Sequence, residues 1–192
     1  LHFGKQHIGI SFLDVSTGEF YTSQGNQEYI DKLLQNFNPS EVLVQKHKKK
    51  DFQESFGTDY HLFYLEDWVF KNDYAQESLT EHFKTASLKG FGVAHLKEGI
   101  VASGAILYYL SETQHNKLSH ITALNRIAED DYVWMDRFTV RNLELHGSQS
   151  FNAVTLLDVV DKTTSPMGGR LFKRWLALPL KNISKIQQRH QV

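Results

Sequence analysis

The stretch from His7 to Gln45 constrains the fold more than any other. In His7 to Ser16 (HIGISFLDVS), Ile8, Ile10 and Phe12 alternate with smaller residues, which is the period of two expected of a strand. Thr17-Gly18 reads as a tight turn and Glu19 to Ser23 (EFYTS) as the returning strand, so residues 7–24 are predicted to form a β-hairpin. The period then changes. Between Asn26 and Asn36 a helix is expected, with Ile30, Leu33, Leu34 and Phe37 falling at helical spacing. Asn38-Pro39-Ser40 ends that helix, because a proline disfavours helical geometry in the residue before it. Glu41 to Gln45 (EVLVQ) follows as a short buried strand. A strand–helix–strand order of this kind predicts an α/β layer architecture.

Further along, His61 to Leu65 (HLFYL) is a strand candidate, and Asp73 to Lys84 should form an amphipathic helix with Leu79 and Phe83 inward. Leu88 to Val93 is loop-like, with Gly90 and Gly92. Ile100 to Gln114 is a helix with Ala102, Ile106, Tyr109 and Leu110 along one face. Its small residues Ala102, Ser103, Gly104 and Ala105 would let it lie close to a sheet. After a strand-like Tyr132 to Met135, the pattern is helical at 136–146, 153–162 and 166–178. The division expected is an α/β domain at 1–130 and an all-α segment at 131–192.

Composition removes several classes of function. The 192 residues are 41% hydrophobic, enough to fill a core, and the net charge of −1 lacks the basic excess of a protein built mainly to grip duplex DNA. Without cysteine there is no disulfide, thiolate metal site or cysteine nucleophile. No apolar run approaches the roughly 20 residues that span a bilayer, and no signal peptide is visible. The chain opens at Leu1, directly before a strand-like segment, and is read as an interior piece of a larger cytoplasmic protein.

The search for chemistry returns little. No phosphate-binding G-x-x-x-x-G-K-[ST] loop occurs, and Gly90-Phe91-Gly92 is too short for a dinucleotide fingerprint. No nucleophile elbow is present, and His115 and His120, five apart, do not have zinc spacing. Asp14, on the first strand candidate, with Glu19 on the second, could hold a divalent cation as in a metal-dependent nuclease. Asp67, Asp73, Asp130 and Asp131 supply no clear further set, and an aspartate before Ser-Thr-Gly is also explained by turn chemistry. The basic run Lys46 to Lys50 (KHKKK) could touch phosphates or could be a solvated helix start, and the second reading is the simpler.

In the last predicted helix Ser165 can act as cap and Pro166 can occupy the first helical position. Leu171, Trp175 and Leu178 form an apolar stripe, widened by Phe172 and Leu176. Gly168 and Gly169 imply close approach by another element. Arg170, Lys173 and Arg174 make a basic face, a candidate DNA contact for which a solvated or salt-bridged face is the simpler reading.

Those residues also carry a resemblance. Thr155-Leu156-Leu157, Asp161-Lys162-Thr163, Met167-Gly168-Gly169-Arg170-Leu171, Trp175-Leu176 and Pro179-Leu180, with Arg141-Asn142-Leu143-Glu144-Leu145 before them, resemble the core-domain signature of the MutS family of DNA mismatch repair ATPases. Asp14 to Phe20, Asn38 to Leu43 and Gly104 to Gln114 are similar to that family's connector domain. Val160, Ser165 and Gly169 depart mildly from the pattern. The resemblance implies a ribonuclease-H-like, three-layer α/β connector that is a spacer rather than a nuclease, followed by the start of a helical core whose long lever helices would come after Val192. A mismatch-reading domain with a Phe-x-Glu wedge would precede Leu1, and the ATPase, with ATP and Mg, would lie far beyond Val192. Phe52-Gln53-Glu54 matches the wedge only as letters. The partners implied are mismatched duplex DNA, a MutL-type protein and a second copy of the parent chain, with no membrane. Gln76, Glu77 and Lys84 are the candidate MutL-facing residues.

Overall fold

The computed structural model describes residues 1–114, 118–127, 131–135, 137–145 and 153–191. His115, Asp130 and the two ends of the predicted helix 136–146 lie outside them. Two compact units emerge, one of residues 1–31 and 39–127 and the other of 32–38 and 128–192.

The first unit is mixed α/β. Its larger sheet runs β1 (His2–Phe3), β2 (Ile8–Asp14), β3 (Glu19–Gly25), β6 (Leu124–Arg126) in spatial order. The hairpin is as expected: β2 and β3 are antiparallel from Ile8↔Gly25 to Asp14↔Glu19, and Gly18 takes φ +75° in the turn, a left-handed value that glycine adopts without penalty. β6 joins β3 in parallel. A second, two-stranded parallel sheet pairs β4 (Val42–Gln45) with β5 (Leu62–Leu65). Helices α2 (Lys49–Phe56), α3 (Asn72–His82) and α4 (Lys97–Gln114) complete the unit. Helix α1 (Gln27–Phe37) starts here and ends in the second unit, where Asn38 closes it at φ +43° and donates its N–H to the Leu34 carbonyl.

The alternation in β2 separates two covered faces, not an inside from an outside. Gly9, Ile10, Ser11 and Phe12 are all buried. Gly9 and Ser11 face α4, and this is why they are small. A Cβ at Gly9 would stand 2.0 Å from the Glu98 backbone, and Ser103 Oγ donates to Ser11 Oγ at 3.0 Å and to the Gly99 carbonyl at 2.8 Å. On the opposite face the Ser23 and Tyr29 hydroxyls meet at 3.1 Å, bringing the start of α1 over the sheet.

Helix α4 differs from expectation. It starts three residues earlier than predicted and is buried around its whole circumference from Gly99 to Ala105, so its apolar residues do not make a single stripe. One side lies on the sheet; the other meets α3, where a Cβ at Gly104 would come within 2.5 Å of the Ala75 Cβ and 2.6 Å of its Cα. Gly104 therefore serves the helix–helix contact, not the sheet contact expected of it. The core around these contacts includes Phe20, Val69, Leu79, Val93, Ile100, Val101 and Leu124. Burial of a side chain of this size is worth about 1.5–3 kcal/mol, so α4 supplies much of the unit's stability.

Helix α3 is shorter than predicted. It ends at His82, and Lys84 lies beyond it at φ +51°. There Lys84 N–H bonds the Glu81 carbonyl and Thr85 N–H the Thr80 carbonyl, which is the Schellman closure of a helix C-terminus. The predicted loop at Leu88–Phe91 is a 3-10 turn capped by Ser87, whose side chain accepts from Lys89 N–H.

The regular elements described in the second unit are helices: α5 (Arg137–Asn142), α6 (Leu156–Val160), α7 (Pro166–Ala177) and α8 (Ile183–His190). Tyr132–Met135 is not a strand; a single bridge joins Tyr132 to Leu180, and Val133 N–H donates to the Pro179 carbonyl at 2.7 Å. α6 is shorter than the predicted 153–162, and α8, started by Asn182 accepting from Lys185 N–H, was not anticipated before Val192. One aspartate sets the start of α6 and another the turn that follows it. Asp158 accepts from Thr155 Oγ1 and N–H while Thr155 Oγ1 accepts from Asp158 N–H, a reciprocal capping box. Asp161 accepts from Thr163 N–H at 2.9 Å and Oγ1 at 2.7 Å.

Two outcomes are expected. Gly104→Ala should destabilise the first unit by about 1–3 kcal/mol in urea unfolding despite alanine's better helix propensity, whereas Gly90→Ala, into open space, should change little. The Thr155 and Thr163 hydroxyls hold Asp158 and Asp161 below the ordinary aspartate range. Their folded pKa values are depressed, so their stabilisation is present above the unfolded value of about 3.9 and is lost as pH falls through the folded one. The deficit of Asp158→Ala and Asp161→Ala against the parent should be full at neutral pH and shrink below about pH 4, read from unfolding curves at a series of pH values.

Candidate functional site

Asp14 ends β2, and its carboxylate turns back onto the hairpin. It accepts from Ser16 N–H at 2.9 Å, Ser16 Oγ at 2.6 Å and Thr17 N–H at 3.3 Å. Glu19, its cross-strand neighbour, accepts from the Tyr21 hydroxyl at 3.3 Å. No group of three or more His, Asp, Glu or Cys side chains that could hold a metal ion occurs among the described residues. The geometry thus favours the turn role for Asp14, and the nuclease reading gains no support from it.

The basic run is interleaved with carboxylates. Lys46 lies 3.6 Å from Glu66, His47 2.7 Å from Asp67 and Lys48 2.5 Å from Asp51. The hydrogen bond from Lys48 is the main reason the exposed Asp51 carboxyl is held below its usual range. Lys46 to Lys48 form a 3-10 turn that leads into α2 at Lys49, so the run is a solvated helix start. Phe52 is fully buried and meets Tyr60 edge-on at 5.7 Å, so the Phe-x-Glu letters here cannot present a wedge.

α3 turns Ala75 and Leu79 inward and leaves Gln76 and Glu77 exposed on consecutive positions of its outer side. Thr80 Oγ1 donates to the Gln76 and Glu77 carbonyls at 2.9 and 3.0 Å, and His82 Nε2 lies 2.8 Å from the Ile121 carbonyl, which ties down the helix end. Lys84 is exposed too, but on the closing turn and not on the helix. Gln76 and Glu77 therefore share one rigid element, and Lys84 belongs to the next.

In the second unit Ser165 caps α7 by accepting from Gly168 N–H at 3.1 Å, with Pro166 in the first turn. The two glycines are approached by the turn just before the helix: a Cβ at Gly168 would meet Thr163 Cβ at 3.2 Å, and one at Gly169 would meet Thr163 Oγ1 at 3.3 Å. The close approach inferred from them is local, not from a separate element. Ala177 and Leu178 are buried, Leu171, Phe172 and Leu176 half-buried, and Trp175 is 37% exposed with the Arg189 guanidinium 4.3 Å from its ring centroid. The apolar stripe is thus only partly covered. Arg170 and Lys173 are exposed and Arg174 is half-buried.

Reading the sequence missed an aromatic surface on the first unit. Trp68, 45% exposed, lies 5.1 Å from both Tyr74 and Tyr108, and Phe63 lies 4.8 Å from Tyr109, whose hydroxyl donates to Glu41 at 2.7 Å. That hydrogen bond pushes the Tyr109 hydroxyl above its usual pKa. The density of aromatic residues between Tyr60 and Tyr74 was the available signal.

Comparison with known proteins gives two family matches along the chain. Residues 1–122 match the family model described as MutS domain II, and residues 138–192 match that of MutS domain III. The chain is 71% identical over 192 residues to the DNA mismatch repair protein MutS of Flavobacterium psychrophilum, covering all of this chain and 22% of that protein. It is 73% identical over 190 residues to the protein of the same name from Flavobacterium johnsoniae, and 69% identical over 192 residues to that of Christiangramia forsetii, again covering 22% of each. The chain therefore spans about a fifth of the length of these relatives. No helix among the described residues is long and apolar enough to cross a membrane. With both domain models matched in order along it, this chain belongs to the MutS family.

Proposed function

We propose that the chain is the connector and the beginning of the core of a cytoplasmic, ATP-dependent protein that binds mismatched duplex DNA and starts its repair. The observation that carries this reading is the succession of the two MutS domain matches along a chain that is about 70% identical to mismatch repair proteins. In this reading residues 1–130 are a ribonuclease-H-like connector and 131–192 open the helical core. The piece performs no chemical step and binds no nucleotide. ATP, Mg and the mismatch are handled by other parts of a homodimeric parent protein, and this piece transmits between them.

The physical basis for such a role is rigidity. α3 is locked to α4 through the Gly104–Ala75 contact, and α4 to the sheet through Gly9, Gly99 and the Ser103–Ser11 hydrogen bond. A charge on the outside of α3 is then held in a fixed position for a partner to read. Gln76 and Glu77 are the residues proposed to face a MutL-type protein, with Lys84 at the margin. Arg170 and Lys173, with Arg174 beside them, are the positions from which α7 would reach a phosphate backbone.

Charge reversal by Glu77→Lys in the intact protein should weaken binding of the MutL partner by about tenfold while mismatch binding and ATP hydrolysis are retained, measured by surface plasmon resonance on mismatched duplex. Unchanged MutL binding would remove α3 as the docking surface.

A further inference from the structure

We propose that the outer edge of β5 is a docking site for an extended peptide of a partner protein, one that alternates apolar and acidic residues. The inference goes beyond the function proposed above and does not rest on Gln76, Glu77 or Lys84.

The backbone geometry defines what fits. Val42 N–H donates to the His61 carbonyl at 2.8 Å, and Val42 pairs with Leu62 in the parallel register. In such a ladder the N–H and C=O groups of His61, Phe63 and Leu65 turn toward β4, and those of Leu62 and Tyr64 turn away from it. Among the described residues no strand pairs with β5 on that outer side. A row of open donors and acceptors is matched by another extended backbone.

The side chains on the two faces of that edge set the occupant's chemistry. Phe63 is 39% exposed and makes a tilted ring contact with Tyr109, which follows Tyr108 of the Trp68, Tyr74 and Tyr108 group on α4; this face would receive apolar side chains. Tyr64, 38% exposed, points to the opposite face, where the Lys49 ammonium lies 5.9 Å from its ring centroid. Lys46 and Lys48 each have a carboxylate partner, whereas no carboxylate lies within ion-pair distance of Lys49 among the described residues. Successive side chains of an added strand point to opposite faces, so one set meets the aromatic shelf and the other meets Lys49, which calls for carboxylates.

The test uses the intact protein and a fluorescein-labelled peptide of about seven residues alternating glutamate with valine, beside its lysine-for-glutamate counterpart. The glutamate peptide should bind and slow amide exchange in the segment containing Leu62 and Tyr64, and the lysine peptide should not. Tyr64→Pro, which removes an outward N–H at an edge position where proline is tolerated, should abolish binding. Lys49→Glu, a surface change that leaves the strand intact, should weaken the glutamate peptide by about tenfold and favour the lysine one. The proposal is overturned if neither peptide binds, if both bind alike, or if binding survives Tyr64→Pro with exchange at Leu62 and Tyr64 unaltered. It is equally overturned if the edge is occupied by a second copy, seen as self-association lost in Tyr64→Pro, or if an oligo-dT strand protects the same amides.

Discussion

The close approach of α4 to its neighbours is the constraint on which the first unit depends. On one side the helix backbone comes so near the sheet that β2 must present Gly9 and Ser11 to it, and a Cβ at Gly99 would lie 2.7 Å from Thr22 Oγ1. On the other side Gly104 lets Ala75 of α3 pack directly on the helix. Interiors are packed as tightly as organic crystals, so such contacts do not give gradually. Sheet, α4 and α3 are therefore positioned as one body, and whatever α3 presents to solvent is positioned with it.

That arrangement also explains why the unit's polar groups serve structure. The Asp14 carboxylate holds the hairpin turn, the Ser103 and Ser11 hydroxyls hold the helix–sheet contact, and Lys46, His47 and Lys48 before α2 pair with Glu66, Asp67 and Asp51. Among the described residues that face outward are the polar side of α3 and the aromatic edge of β5. Both suit recognition by a partner better than chemistry. In the second unit Asp158 likewise sets the start of α6 and Asp161 the turn after it, and Arg170 and Lys173 lie exposed on α7.

Sequence patterning made the hairpin, α1, β4 and the capped start of α7 legible because each depends on neighbours a few residues away. Ser165 and Pro166 act within one turn, and Ile8, Ile10 and Phe12 alternate within one strand. Features set by distant residues were not legible in this way. The sequence pattern of α4 shows one apolar face because nothing local reveals that β2 and α3 cover both sides. The pattern of Lys46 to Lys50 is enough to read a solvated helix start, but not its partners Glu66 and Asp67, which follow β5 in the chain. α8 carries a readable cap in Asn182, but its composition is too polar to stand out beside α7. The aromatic surface is assembled from β5, α3, α4 and the turn at Asp67–Phe70, and so it exists only once the chain has folded.

Whether α4 holds the first unit together as one body can be read from native-state amide exchange on the intact protein. The amides of residues 99–107 should exchange slowest in the unit, together with those of β2 and β3, and only through global opening of that unit. Exchange of those amides that is as fast as in α2, or that proceeds while β2 and β3 stay protected, would contradict it.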